Sequence, residues 1–334
     1  MTRQVNLLHK KKMEKNKPSI TLPYSGSIFA LDISPDGQML AIGQQADFYS
    51  RNPILTLWNL PQGQLIAEIE HMSEKSIDAV CFSGDSKFLY YVKNHEYPKV
   101  LVYNLATQSY LQPEEFKVAN VTWLAGAREA PRLVTAGIIT EVWNTETWER
   151  SLSILDYMVL GGECRKAAVA DITPDGKKIA VVGKNIDQVH IYDLEQNVII
   201  QTLDEAPRQA SWVRYSPDLS YLAAIDNSGG KLCLWRLETG NRHLVEGFFT
   251  EGDKFEYDGF FCLSFHPTSK YLALGNWTGV VRIIQLSNGE LIASEAVHKG
   301  RVYRLAFTPD GKQLISGDEY GTIFIWNLEE LLQV

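Results

Sequence analysis

The chain has 334 residues, 45% of them hydrophobic and 22% charged, with a formal net charge of −8. That composition supports a sizeable core and excludes a disordered, collagen-like or disulfide-stapled miniprotein. No stretch approaches the ~18 uninterrupted apolar residues of a membrane helix. The N-terminus reaches Lys10-Lys11-Lys12 without the apolar run of a secretory signal, so a cytoplasmic location is expected.

Residues 1–17 carry six basic residues and one acidic, a net +5 that leaves −13 on the remainder. The segment reads as a basic, flexible tail, with an electrostatic tether to an acidic partner, nucleic acid or membrane as the alternative. The acidic body argues against general nucleic-acid binding. Next comes Ser19-Ile20-Thr21-Leu22, a short strand-like run bounded by Pro18 and Pro23.

From Ile28 onward one unit recurs: an apolar strand, a tight turn, a second strand ending in a small residue, a loop, and a third strand ending in an aromatic. Ser34-Pro35-Asp36-Gly37 is the first turn, and Thr173-Pro174-Asp175-Gly176 and Thr308-Pro309-Asp310-Gly311 repeat it nearly unchanged. Ser83-Gly84-Asp85-Ser86, Ser216-Pro217-Asp218-Leu219 and His266-Pro267-Thr268-Ser269 are looser copies. Proline presets φ and glycine accepts positive φ, so each such turn joins two antiparallel strands.

Third strands end at Trp58, Tyr103, Trp143, Tyr192, Trp235, Ile284 and Trp326, at intervals of 45, 40, 49, 43, 49 and 42 residues. That period suits a four-stranded blade, which is apolar on both faces and must stack on neighbours. The seventh unit stops soon after its third strand, and residues 19–22 would supply its missing outer strand. The expectation is an all-β fold: a single seven-bladed β-propeller of four-stranded antiparallel blades, closed by the N-terminal strand. Its blades fall near 27–70, 76–112, 118–155, 166–204, 208–246, 259–296 and 301–334 plus 19–22, within a domain over 18–334.

The aromatic-Asn/Asp strand endings, the turn motif and the period resemble the WD-repeat family over about residues 19–334, in a divergent style closer to prokaryotic propellers. That resemblance implies a scaffold for protein interactions, since such proteins mostly serve as platforms. It also implies a Gly-His before the inner strand and a loop Asp tied to Ser and Trp. Only His298 matches the first feature, and Tyr320 and Thr278 stand where the loop Asp would fall, so these networks are expected to be absent.

The four cysteines, Cys81, Cys164, Cys233 and Cys262, form no Cys-x-x-Cys pair, and three lie in apolar strand-like runs, which reads as free thiols in a reducing compartment. None of the seven histidines pairs with another in a metal motif, and no nucleophile elbow or phosphate-binding loop is present. No catalytic residue, metal or cofactor is expected. Two groups of residues stand out instead. Aligned on the turns, Asp171 and Arg214 of adjacent blades, and Asp32 and Arg304 across the closure, are expected near the axis as inter-blade ion pairs, or as a charged channel binding an ion or small anion. Aromatic and basic residues in the loops of one rim, Tyr49, Arg51, Tyr97, Phe255, Tyr257, Trp277 and Tyr320, nominate a partner-binding surface. The function expected is a non-catalytic adaptor for a protein or peptide, alone or within a multiprotein complex, with no membrane association. The alternatives are a propeller enzyme or ligand binder using the channel, and a nucleic-acid-associated subunit.

Overall fold

The computed structural model describes residues 20–21, 26–45, 53–71, 76–93, 99–113, 116, 118, 120–155, 169–182, 187–207, 210–226, 232–241 and 259–332. Seven antiparallel sheets follow one another along the chain as the blades of a propeller. Blade 1 shows the plan: Ile28–Ile33 is innermost, followed outward by Met39–Gln44, Pro53–Asn59 and Gln64–His71. Three strands of blade 5 are described, Ala210–Tyr215, Tyr221–Asp226 and Leu232–Arg236. Among the described residues the helical element is a single turn, α1 (Leu328–Leu331), capped by the Asn327 side chain.

The turn sequence builds the inner hairpin through its side chains as well as its backbone. In Thr308-Pro309-Asp310-Gly311 the threonine hydroxyl donates to Asp310 Oδ1 (2.6 Å), which also accepts the Lys312 N–H (3.0 Å), and Gly311 takes φ +71°. The Ser34–Gly37 and Thr173–Gly176 turns repeat this arrangement. The loose copies hold the same backbone without glycine: Ser86, Leu219 and Ser269 occupy its place at φ 58°, 60° and 53°.

Burial follows position in the blade. The second strands are buried almost throughout, as in Tyr271–Asn276, because neighbouring blades cover both faces. Outer strands such as Val198–Asp204 are largely exposed. The small residue next to last in the second strand has a packing reason. A Cβ on Gly43 would lie 2.6 Å from the Ile77 side chain of blade 2, and one on Gly275 would lie 2.7 Å from Val302 of blade 7. Gly317 of blade 7 meets Ile28 of blade 1 in the same way, at 2.8 Å, so the last interface repeats the others. Pairing completes the closure: Ile20 and Thr21 lie opposite Ile323 and Thr322 as the outer strand of blade 7.

Cys81, Cys233 and Cys262 are buried free thiols. Burial pushes the Cys81 and Cys262 thiols up to about 12, so neither is an activated nucleophile. Cys164 lies outside the described residues.

Candidate functional site: two faces and a plugged channel

Each inner strand runs from a loop arriving from the preceding blade to a tight turn, of the Pro-Asp-Gly type or a looser copy in every blade but the third, which gives the ring a loop face and a turn face. In blades 6, 7 and 1 the second residue of the inner strand sits at the loop face and is aromatic: Phe261, Tyr303 and Phe29. These rings meet edge to face, with centroids 4.6 Å apart for Phe261 and Tyr303 and 5.2 Å for Tyr303 and Phe29. Trp277, which follows the second strand of blade 6, extends the row against Phe261 (5.7 Å), and the Arg301 guanidinium lies 4.4 Å from the centre of its indole. All five side chains are half-buried. Beside them Tyr320 is 59% exposed.

Of the rim residues nominated from sequence, Trp277 and Tyr320 are thus on the loop face, while Tyr49, Arg51, Tyr97, Phe255 and Tyr257 lie outside the described residues. Phe29, Phe261 and Tyr303 escaped sequence reasoning because they lie within strands, where an aromatic reads as core. Their common register, one residue after the strand start, was the available signal.

The channel is filled midway. Trp123 and Trp212 pack edge to face at 4.7 Å, and Trp123 donates its indole N–H to the Ala170 carbonyl (2.7 Å). The Arg214 guanidinium lies over both rings, at 4.7 and 5.2 Å, and Arg304 lies over Trp212 at 5.0 Å. On the turn-face side a cavity of about 550 Å³ opens, walled by the ends of the inner strands, with Pro35, Pro174, Pro217, Pro267 and Pro309 among its lining.

The inner-strand charges around the cavity have assigned partners. Arg214 donates to Asp171 Oδ1 (3.2 Å) between blades 5 and 4, and Asp171 Oδ2 accepts the Tyr215 N–H (2.8 Å). Asp32 shows the same two-sided use, taking Arg128 on Oδ1 (3.1 Å) and the Phe82 N–H of the next blade on Oδ2 (2.8 Å). Ser264, at the equivalent position of blade 6, accepts the Phe307 N–H (3.3 Å). The inner-strand carboxylates are therefore blade-to-blade clasps. Burial pushes the Asp171 carboxyl upward, although Arg214 and the Tyr215 N–H pull the other way.

The pairing of Asp32 with Arg304 is corrected. Asp32 pairs with Arg128 of blade 3, whose turn lacks the Pro-Asp-Gly motif and so left Arg128 out of the alignment. Arg304 lies two residues nearer the loop face, stacks on Trp212, and donates to the carbonyls of Tyr303 (2.8 Å) and Asp78 (3.4 Å). Burial pushes its guanidinium down to about 10.

The expected absence of the His-Asp-Ser-Trp network is also corrected for blade 7. His298 contacts Asp318 (3.0 Å) and Ser316 (2.7 Å), and Trp326 donates its indole N–H to Ser316 (2.8 Å). Asp318 lies two residues before the place assigned to the loop Asp, and it accepts the N–H groups of Tyr320 and Thr322. Blade 6 keeps part of the design, with Asn276 accepting from the N–H groups of Thr278 and Val280. Elsewhere the indole finds substitutes: Thr56 for Trp58, Thr135 for Trp143 and the Asp204 carbonyl for Trp235.

Among the described residues no group of three or more His, Cys, Asp or Glu is placed to hold a metal ion, and no helix is long and apolar enough to cross a membrane.

Comparison with known proteins agrees with this architecture. A family model described as the IFT140 first beta-propeller matches residues 194–331. Apoptotic protease-activating factor 1 of Mus musculus is 39% identical over 66 residues, 20% of this chain and 5% of that protein. The WD repeat-containing protein VIP3 of Arabidopsis thaliana is 24% identical over 213 residues, 61% of this chain and 64% of that protein. In both cases the match spans less than two thirds of the relative's length. These are animal and plant proteins, so they lend no support to a prokaryotic character of the turns. A chain in the crystal structure of a mitotic checkpoint complex superposes with a TM-score of 0.69 over 93% of both chains at 18% identity, which speaks to the fold alone. Seven sheets closed by the N-terminal strand, one complete His-Asp-Ser-Trp network and these matches make the chain a seven-bladed β-propeller with repeats similar to those of WD-repeat proteins.

Proposed function

We propose that this propeller is a non-catalytic platform in a reducing compartment, and that its loop face binds a protein or peptide partner across blades 6, 7 and 1. The observation that carries this reading is the continuous row Trp277, Phe261, Tyr303, Phe29, half-buried at the mouth of the channel and flanked by Arg301 and the exposed Tyr320. Aromatic residues and arginine bury much area for little conformational entropy, which is why they dominate interface hot spots. The rings brace one another, so their ordering cost is already met before binding. WD-repeat propellers commonly serve as scaffolds, and the resemblance supports that role here. From their sequence positions, Tyr49, Arg51, Tyr97, Phe255 and Tyr257 are proposed as further contributors to that surface.

The test is affinity capture from the native lysate with wild type and with a Trp277→Ala, Tyr320→Ala variant, followed by mass spectrometry. A partner recovered by wild type and lost with a variant that melts like wild type supports the assignment. Equal recovery by both moves the binding surface elsewhere.

A further inference from the structure

We propose that the turn-face mouth of the central channel is a binding site for a small oxyanion, a molecule bearing a carboxylate or phosphate group, held by the guanidinium groups of Arg128 and Arg214. The site lies on the opposite side of the Arg-Trp plug from the aromatic row and is independent of it. Its cavity of about 550 Å³ falls within the roughly 300–1,000 Å³ typical of small-molecule sites.

The balance of donors and acceptors sets the ligand class. Both oxygens of Asp32 and both of Asp171 are engaged, one by an arginine and one by a backbone N–H of the next blade. The arginines are far from exhausted: a guanidinium offers five N–H groups. Arg214 uses one of them, on Asp171, and Arg128 uses two, on Asp32 and the Ile33 carbonyl. Ser264 accepts the Phe307 N–H and keeps its own hydroxyl proton to donate. With the Asp32 and Asp171 oxygens spent and donors in surplus, the cavity wall recognises an acceptor, and two guanidiniums favour an anionic one. Arg214 is also preorganised, because Trp123 and Trp212 hold it from the channel side and Asp171 fixes its direction.

The competing occupant is a cation drawn by Asp32, Asp171 and the exposed Glu129, which also lines the mouth. Substitution at Asp32 separates the two. Asp32→Asn keeps an acceptor for the Phe82 N–H while removing a negative charge beside Arg128, so it tightens an anion and weakens a cation.

Calorimetric titration of the full chain at low salt with citrate, pyrophosphate and calcium is the test, using wild type, Arg128→Gln, Arg214→Gln and Asp32→Asn. The expected result is one-to-one binding of citrate or pyrophosphate, weakened at least about tenfold by each arginine substitution and tightened by Asp32→Asn. Citrate alone assigns the ligand to carboxylates and pyrophosphate alone to phosphates. Arg128 is the more exposed of the two arginines, so Arg128→Gln remains informative if Arg214→Gln unfolds, with circular dichroism reporting the fold. The proposal is overturned if neither anion binds wild type at millimolar concentration, if binding survives Arg128→Gln in a folded protein, or if calcium binds and Asp32→Asn abolishes it.

Discussion

Replacing Ser316 by alanine removes the hinge of the blade 7 network. The proton order of that network follows from chemistry. The Trp326 indole can only donate, so it gives its N–H to Ser316, which leaves the serine proton for His298 Nε2 and places the single imidazole N–H on Nδ1, donating to Asp318. Ser316 and Asp318 are fully buried. Without the hydroxyl, the Trp326 N–H and His298 Nε2 both lose their partner in a space no larger than the missing atom. An orphaned buried group costs about 1–3 kcal/mol, so with two of them Ser316→Ala is expected to cost about 2–6 kcal/mol, a large share of the ~5–15 kcal/mol typical of folded domains. Urea unfolding followed by tryptophan fluorescence and circular dichroism reads this as a lower midpoint at unchanged slope. In the double variant Ser316→Ala, Trp326→Phe one orphan disappears with the indole nitrogen, so the two costs add up to more than the measured whole by about 1 kcal/mol. A loss below about 0.5 kcal/mol for Ser316→Ala, or strict additivity, would refute the network as drawn.

Three further outcomes follow from the same geometry. Gly63 and Gly311 share positive φ, but a Cβ at Gly63 meets nothing within 4 Å while one at Gly311 would fall 2.4 Å from His266 Nε2. Gly63→Ala is therefore expected to lose about 1 kcal/mol, and Gly311→Ala clearly more, in thermal melts run side by side. The Thr308 hydroxyl and the Lys312 N–H hold the Asp310 carboxyl below its ordinary value. At Asp85, Asp175 and Asp218 partial burial pulls upward but similar hydrogen bonds outweigh it. A depressed folded pKa contributes stability that is complete above the unfolded value of about 4 and is lost as pH falls through the folded one. Unfolding midpoints should thus fall below about pH 4, less steeply when Thr308→Val and Thr173→Val remove two of the hydroxyl donors. Truncation of residues 1–25 leaves Thr322–Asn327 as an open sheet edge. A lower melting temperature and self-association on size exclusion are expected, whereas an unchanged monomer would show the outer strand to be dispensable.

The repeat was legible because its markers are local: a hydroxyl, proline, aspartate and glycine form the turn through contacts within five residues, as at Thr308 and Gln313. Closure was legible for a similar reason, since the last unit lacked a strand and Ile20–Thr21 was at hand. What escaped depended on the ring. Arg128 sits on a turn without the motif, so no alignment brought it to Asp32, although the two are 96 positions apart in the chain and 3.1 Å apart in space. Asp318 was passed over because a shift of two residues in the loop is invisible without its partners. The loop-face row was hidden because Phe29, Phe261 and Tyr303 stand in apolar strands, and only the convergence of inner strands at the channel mouth sets them against one another.

Hydrogen exchange of the full chain with and without its captured partner tests the central claim most directly. The account predicts slowed exchange at the loop-face starts of the inner strands of blades 6, 7 and 1, around Phe261, Tyr303 and Phe29, and after Asn276 and Asp318, with the Pro-Asp-Gly turns unaffected. Protection confined to those turns or to the outer strands would contradict it.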